Sequence, residues 1–288
     1  DFIALTDHNQ VSELDKATST RGSPAVRALP SGLIVLAGIE LTHNPSGCQP
    51  AGDTSGKCRI HVNLLGVTGR VDGKLDWADR KTRLRIEKYQ AALGAAKSLG
   101  GIVQINHPQW FWGMTAGLLA ELGRRGVKLV EIANVQFAKW NKGDKDHPSM
   151  EEIWDGALRQ GVDLWGVASD DAHDYHNRKG DKYPAGGGWV AVKARRDPQA
   201  IVDALAAGRF YSSTGVVLDQ AEVVNGELLV EVAAAERGSF TIEMIENGKR
   251  VATTRGRSAR RGVPSTGYLR AVVKRGDGAQ AWVQPARR

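Results

Sequence analysis

Acidic and imidazole side chains recur at the ends of short apolar runs in this 288-residue sequence. One run, Ile3-Ala4-Leu5, leads into Thr6-Asp7-His8-Asn9; another, Leu36-Ala37-Gly38-Ile39, ends on Glu40. Ile102-Val103-Gln104-Ile105 leads into Asn106-His107-Pro108, and Gly166-Val167-Ala168 into Ser169-Asp170-Asp171-Ala172-His173. His61 precedes its apolar run, Val62 to Val67, instead of following one. Imidazole with carboxylate, without paired thiolates, suits zinc, manganese or iron, and a carboxylate such as Glu40 can bridge two ions. Two bridged metals lower the pKa of a shared water and clamp the attacking and leaving oxygens of a displaced phosphate, so hydrolysis is the default reaction. Nucleophilic triads fit poorly. Ser169 has no glycine elbow around it, and neither cysteine adjoins a histidine.

The elements that must position these groups are legible in outline. Ile3–Leu5, Leu33–Ile39, Ile60–Val67, Ile102–Ile105, Lys128–Ala133 and Leu164–Ala168 read as buried strands. Helical patterns lie between several of them: Arg83–Ser98 ending at Gly100, Ala116–Arg125, and Ser149–Gln160 with Ser149 and Glu152 spaced as a capping box. This βα alternation predicts a parallel sheet or barrel. Parallel strands share one direction, so their C-terminal ends, and the polar residues on them, converge on one face. A lone histidine is more often structural or exposed; the coincidence at several strand ends carries the reading. His61 reaches that face only if its strand is an edge or is entered through a bend. After Arg209 the pattern changes. Leu228–Ala233, Phe240–Ile245, Leu269–Val273 and Ala281–Val283 read as strands separated by Asn225-Gly226, Asn247-Gly248 and Asp277-Gly278 turns. The expected organisation is therefore an α/β body over residues 1–214 and a small β-sandwich-like appendage over 215–288, joined through a helix at Pro198–Ala207.

Thr6-Asp7-His8-Asn9, Gly38-Ile39-Glu40, His61 with Asn63-Leu64-Leu65-Gly66, Asn106-His107-Pro108, Val130-Glu131-Ile132-Ala133-Asn134 and Asp171-Ala172-His173 resemble, in order, the signature segments of the polymerase and histidinol phosphatase (PHP) family. The ordered set spans roughly residues 1 to 195. The resemblance implies a distorted seven-stranded (β/α) barrel, a site with two or three divalent ions (zinc, manganese or iron), and phosphoesterase activity using a metal-activated water. It further implies that Glu40 bridges metals, that His61 and His107 complete one ion, that Asp171 joins a second, and that His8 with His173 serves a third, with Asp7 supporting them from behind. The family's opening strand, with its His-x-His pair, has no counterpart from Asp1 onward, and an N-terminally incomplete barrel is the expectation. The segment Ala204 to Gly215 with Ala281-Trp282-Val283-Gln284-Pro285 resembles the carbaryl hydrolase-like branch, which implies a carboxylic or carbamate ester as the alternative substrate on the same site. A rival of another class is a non-catalytic binding module on a decayed PHP barrel.

Other residues carry two readings each. Asn134 either orients substrate or caps the following loop. Arg178, Lys179 and Lys182 either bind an anionic leaving group or form an ordinary basic loop. Trp110 and Trp112 either wall an apolar pocket or pack on the barrel rim. His43, His147 and His176 read as surface residues. Cys48 and Cys58 bracket a Gly-, Pro-, Ser- and Asp-rich stretch and are a disulfide, two free thiols or an adventitious metal pair; a disulfide would point to an extracytoplasmic, oxidising compartment. The net charge of +7 favours a small anionic substrate. Nucleic acid is not favoured, because the cluster Arg255, Arg257, Arg260 and Arg261 reads as a solvated loop without interleaved aromatics. No apolar run is long enough to span a bilayer.

Overall fold

A computed structural model describes residues 1–11, 32–174 and 182–288. Six strands form the first sheet, in chain order: β1 (Phe2–Leu5), β2 (Ile34–His43), β3 (Ile60–Leu65), β4 (Ile102–Ile105), β5 (Leu129–Asn134) and β6 (Trp165–Ser169). The sheet curls into a half-barrel. β1 and β2 pair in parallel, as do β4, β5 and β6. β3 is antiparallel to both its neighbours, β2 and β4, so the sheet is mixed and not the parallel one the alternation predicts. Because two reversals restore direction, β1, β2, β4, β5 and β6 still end at one rim, and β3 begins there.

Helices follow the expected crossovers. α1 (Arg85–Leu99) joins β3 to β4, α2 (Ala116–Arg124) joins β4 to β5, and α3 (Ala138–Asn141) and α4 (Met150–Leu158) precede β6. The capping box of α4 is formed: Ser149 Oγ accepts from Glu152 N, and the Glu152 carboxylate accepts from Ser149 N. The buried face of α1 includes Tyr89, Ala92, Leu93 and Leu99, with Ile86 and Ala95 packed against the core, but Arg85 and Lys88 are buried beside them while Leu84 is exposed. Lys88 reaches the carbonyl of Asp79 and Arg85 Nε that of Pro50, while Arg85 Nη2 is buried with no hydrogen-bond partner among the described residues.

Past β6 the chain builds a second layer. β7 (Trp189–Val192), α5 (Pro198–Ala206) and β8 (Phe210–Ser213) are followed by β9 (Leu218–Val224), β10 (Glu227–Val232), β11 (Phe240–Glu246), β12 (Lys249–Arg255), β13 (Ser258–Gly262), β14 (Leu269–Arg275) and β15 (Gln280–Ala286). A six-stranded sheet has the order β12-β11-β14-β15-β8-β7, and a three-stranded sheet the order β13-β10-β9. An apolar core drawn from both, including Leu228, Val230, Ile242, Met244, Leu269 and Val283, joins them. The hairpin turns at Asn225-Gly226 and Asn247-Gly248 have both residues at positive φ, the twist that two-residue hairpins require. Arg255 ends β12, and Arg260 and Arg261 lie within β13, so the arginine cluster is mostly strand and not the loop its composition suggests. These strands are largely solvated and carry no apolar run to mark them.

Buried polar ties fasten the second layer to the first. Gln284 accepts from Gly166 N through Oε1 and donates to Gly166 O through Nε2, at 2.9 and 2.8 Å. Ser212 Oγ donates to the same carbonyl at 2.7 Å. Arg270, 1% exposed, makes a bidentate pair with Asp155 of α4, both bonds at 2.7 Å, while Tyr268 donates to the same carboxylate. Among the described residues, no helix is long and apolar enough to cross a membrane.

Candidate metal centre

The rim shared by five strand ends and the start of β3 collects the chemistry. Glu40 and His61 lie on the neighbouring strands β2 and β3, near the ends that meet at this rim, and His8 continues the β1–β2 pairing through a parallel bridge to Glu40. Gly38 is needed to seat Glu40. A Cβ there would approach Leu5 O and Leu64 O to 2.8 Å, closer than real contacts allow, so only glycine lets β1, β2 and β3 converge. His107 follows β4, and Asp171 and His173 follow β6. Asn9, His107 and Asp171 all adopt positive φ, a concentration of strained backbone at one rim.

The innermost group is Glu40, His61 and His107. Each is buried, and one potential ligand atom from each lies within 4.8 Å of the others. Glu40 Oε1 is 3.0 Å from His61 Nδ1, and Oε2 is 3.1 Å from His8 Nδ1. Burial pushes the Glu40 carboxyl up, but hydrogen bonds from His61 and His8 and their charge together hold it well below the usual carboxylate range. The bond to Glu40 is also the main cause that raises His8. His61 Nε2 faces Asn44 Oδ1 at 2.9 Å, which leaves Nδ1 toward the carboxylate. Burial, and then the neighbouring His61, push His107 down to about 3, so its ring is neutral. His107 Nδ1 is buried without a hydrogen-bond partner, the expected state of a ligand atom aimed at an ion. These donors, two imidazoles and an ionised carboxylate, fit a divalent metal.

The remaining ligands of the expected set stand further out. The His8 ring is 5.7 Å from that of His173 and 6.3 Å from that of His61. His173 Nδ1 lies 3.9 Å from Asp171 Oδ1. Burial, and then the Glu40 charge, raise Asp171 to about 6. Asp7 is exposed and uses its backbone carbonyl to accept the Glu40 N–H at 3.0 Å. Asn134 donates to Asp171 Oδ2 and Glu131 Oε2, while its own oxygen accepts from Gln136 N, so both ends of the amide are engaged within the protein. Trp110 stands against the cluster, 5.2 Å from the His107 ring and 5.8 Å from the His61 ring. Lys182 is exposed, with its backbone N–H on Asp174. Arg178, Lys179 and His176 lie outside the described residues. His147 is no isolated surface residue, since it stacks flat on Trp112 at 4.2 Å, and His43 is half-buried beside Trp77. Cys48 and Cys58 are joined in a disulfide that closes the connection between β2 and β3.

The reversal of β3 explains His61. It is neither on an edge nor behind a bend; an antiparallel strand simply begins where its neighbours end. A sequence signal existed, because residues 44–59 lack the helical periodicity that a parallel crossover needs.

Glu131 is the residue that sequence reading quoted without a role. Its carboxylate is buried on β5 and accepts from four donors: Gln104 Nε2 and Ser169 Oγ on one oxygen, His107 N and Asn134 Nδ2 on the other. Burial, and then the nearby Asp171, push it up, against donors on both oxygens. The visible signal was polar residues, Gln104 and Glu131, inside otherwise apolar strands. Glu131→Gln replaces an acceptor oxygen by an NH2 that faces donors, which should loosen the His107 peptide. Metal affinity is expected to fall about 10- to 100-fold, as for other groups that orient ligands. Calorimetric metal titration checks this, and unchanged affinity would show that His107 holds its pose without Glu131.

No family model matches the chain, and no curated protein matches it either. Among solved structures, the chain is similar to a two-domain protein from Bacteroides vulgatus described as containing a predicted PHP-like metal-dependent phosphoesterase, at 16% identity, covering 99% of this chain and 86% of that one, with a TM-score of 0.47.

Proposed function

We propose that this chain is a metal-dependent hydrolase of the PHP type acting on phosphoesters. The observation that supports it is the gradient within one cluster. Glu40 and His61 side chains are each 7% exposed, Asp171 18%, His173 48% and His8 51%, so the ligand set runs from a dry interior to an open rim where a substrate can arrive. A bound divalent ion, with zinc, manganese and iron all suited to these donors, would supply Lewis-acid activation of water and of the phosphoryl group. Glu40 would bridge ions, with His61 and His107 on one, Asp171 on a second, and His8 with His173 on a third. Glu131 fixes the His107 peptide, Asn134 orients Asp171, and Trp110 with Phe137 screens the His107 ring from water. In this reading the half-barrel sheet is the body of a seven-stranded PHP barrel, residues 1–214 carry the chemistry, and the 215–288 appendage braces α4 and β6.

Hydrolysis by the full chain, loaded with zinc or manganese, of a phosphate-monoester panel set against an aryl-ester and carbamate panel tests the proposal. Turnover of the phosphate panel that vanishes with chelator is expected. Turnover of the neutral esters alone would overturn the phosphoester assignment and leave a carboxylic or carbamate ester hydrolase on the same residues.

A further inference from the structure

The geometry points to Arg59 as the anion-recognising arm of the metal centre, the group that takes the non-bridging oxygens of a phosphoryl substrate. Arg59 lies two residues before His61, the spacing that puts side chains of extended chain on one face. Its neighbours Cys58 and Ile60 are both buried, at 1% and 0% exposure, and Cys58 is fixed by the disulfide to Cys48. The backbone on either side of Arg59 is therefore held while its side chain is half-buried and reaches outward.

That side chain lies on an aromatic shelf. The guanidinium carbon is 5.1 Å from the Trp110 ring and 5.1 Å from the Phe111 ring, and these two rings stack at 5.3 Å. Trp110 in turn abuts His61 and His107, which places Arg59 one ring away from the buried ligand group. Lys57 sits over the other end of the shelf, 5.3 Å from Phe111. Cation–π contact orients a guanidinium and leaves its N–H edge available.

The edge is available here. Among the described residues the Arg59 guanidinium donates from Nη1 to the adjacent Cys58 carbonyl at 2.7 Å, and no carboxylate pairs with it. The buried Arg270 and partly buried Arg275 contrast with it, each held by two carboxylates. A cation oriented by rings and a disulfide, without a counter-ion, beside a cluster built for a metal, fits a ligand that brings its own negative charge. A phosphoryl group matches the planar fork of Arg in a way that it does not match lysine.

This inference rests on the phosphoester reading of the same site but is tested separately from it. Inorganic phosphate and phenylphosphonate, which cannot be hydrolysed, are titrated calorimetrically into the full metal-loaded chain. Arg59→Ala is expected to weaken both by about 10-fold or more, and Arg59→Lys to recover only part of the loss, as befits a charge-assisted fork. Metal affinity and melting temperature are measured on the same variants and are expected to stay near wild type. Unchanged phosphate affinity in Arg59→Ala would overturn the assignment, as would a wild-type chain that binds neither anion. Arg59-dependent binding without turnover of any phosphoester would uphold the arm while removing the hydrolase reading. Turnover with the same KM in wild type and Arg59→Ala would do the reverse.

Discussion

Glu40→Gln is expected to lose divalent-metal affinity by at least about 100-fold, since groups that merely orient ligands already cost 10- to 100-fold. The carboxylate makes contact with His61 through one oxygen and with His8 through the other, so one substitution removes the link between the buried and the exposed ligands. The amide is nearly isosteric but offers one neutral oxygen, and its nitrogen would face an imidazole. Binding to the native state raises stability by mass action, so the wild-type chain should melt at a higher temperature with added zinc or manganese, and Glu40→Gln should not. Elemental analysis after dialysis provides a second readout. Arg255→Ala, on the solvated strand β12 of the C-terminal layer, serves as the control. Equal metal content and equal melting shifts in Glu40→Gln and wild type would show that these residues are not the ligand set.

Arg270→Ala should destabilise the fold by about 3–5 kcal/mol, the scale of a buried ion pair broken on one side. Asp155 is left buried with its bidentate partner gone and only the Tyr268 hydroxyl to solvate it, and the Trp154 ring loses the guanidinium lying 5.0 Å above it. For a chain of this size that corresponds to a fall in melting temperature of roughly 6–20 °C. The double change Asp155→Leu with Arg270→Met should recover much of the loss, because exchanging a buried pair for apolar side chains of similar volume is often neutral. Denaturant melts of the two singles and the double form the cycle. Singles within about 0.5 kcal/mol of wild type, the range of ordinary surface substitutions, would show that the pair does not bear on the join.

The sequence made the rim legible where strand direction was the only thing that mattered. Asp7-His8, Glu40, Asn106-His107 and Asp171-Ala172-His173 each end an apolar run, and strands that share a direction within one sheet end at one rim whatever the details of packing. His61 was harder, since its place depends on which way β3 runs, a property of its partners and not of its own residues. Glu131 and Arg59 were harder still. Glu131 acts through an Asn on its own strand, a Gln and a backbone N–H at the end of β4, and a Ser on β6, and spacing along the chain does not bring these three strands together. Arg59 reads as one more loop cation until the rings of residues 110 and 111 are seen to lie under it. In the C-terminal layer the buried strands were legible from their apolar runs, whereas β9, β12 and β13, largely solvated, carry no such run.

The join between the two layers also sets an order of events for folding. β7 and β8 come before β9 in the chain, yet β8 finds its second neighbour only in β15, the last strand, about seventy positions later, with Val283 opposite Tyr211. The clamp of Gln284 on Gly166 spans a separation of 118 residues. Pairings this distant must wait for loop closure and are slow to form. Until β15 arrives, β8 presents one unpaired edge and β6 lacks the side chain that satisfies Gly166. A nascent or refolding chain should therefore pass through a state in which the sheet that carries the candidate ligands is formed but its flank is open, the stage at which such proteins are most prone to associate with one another.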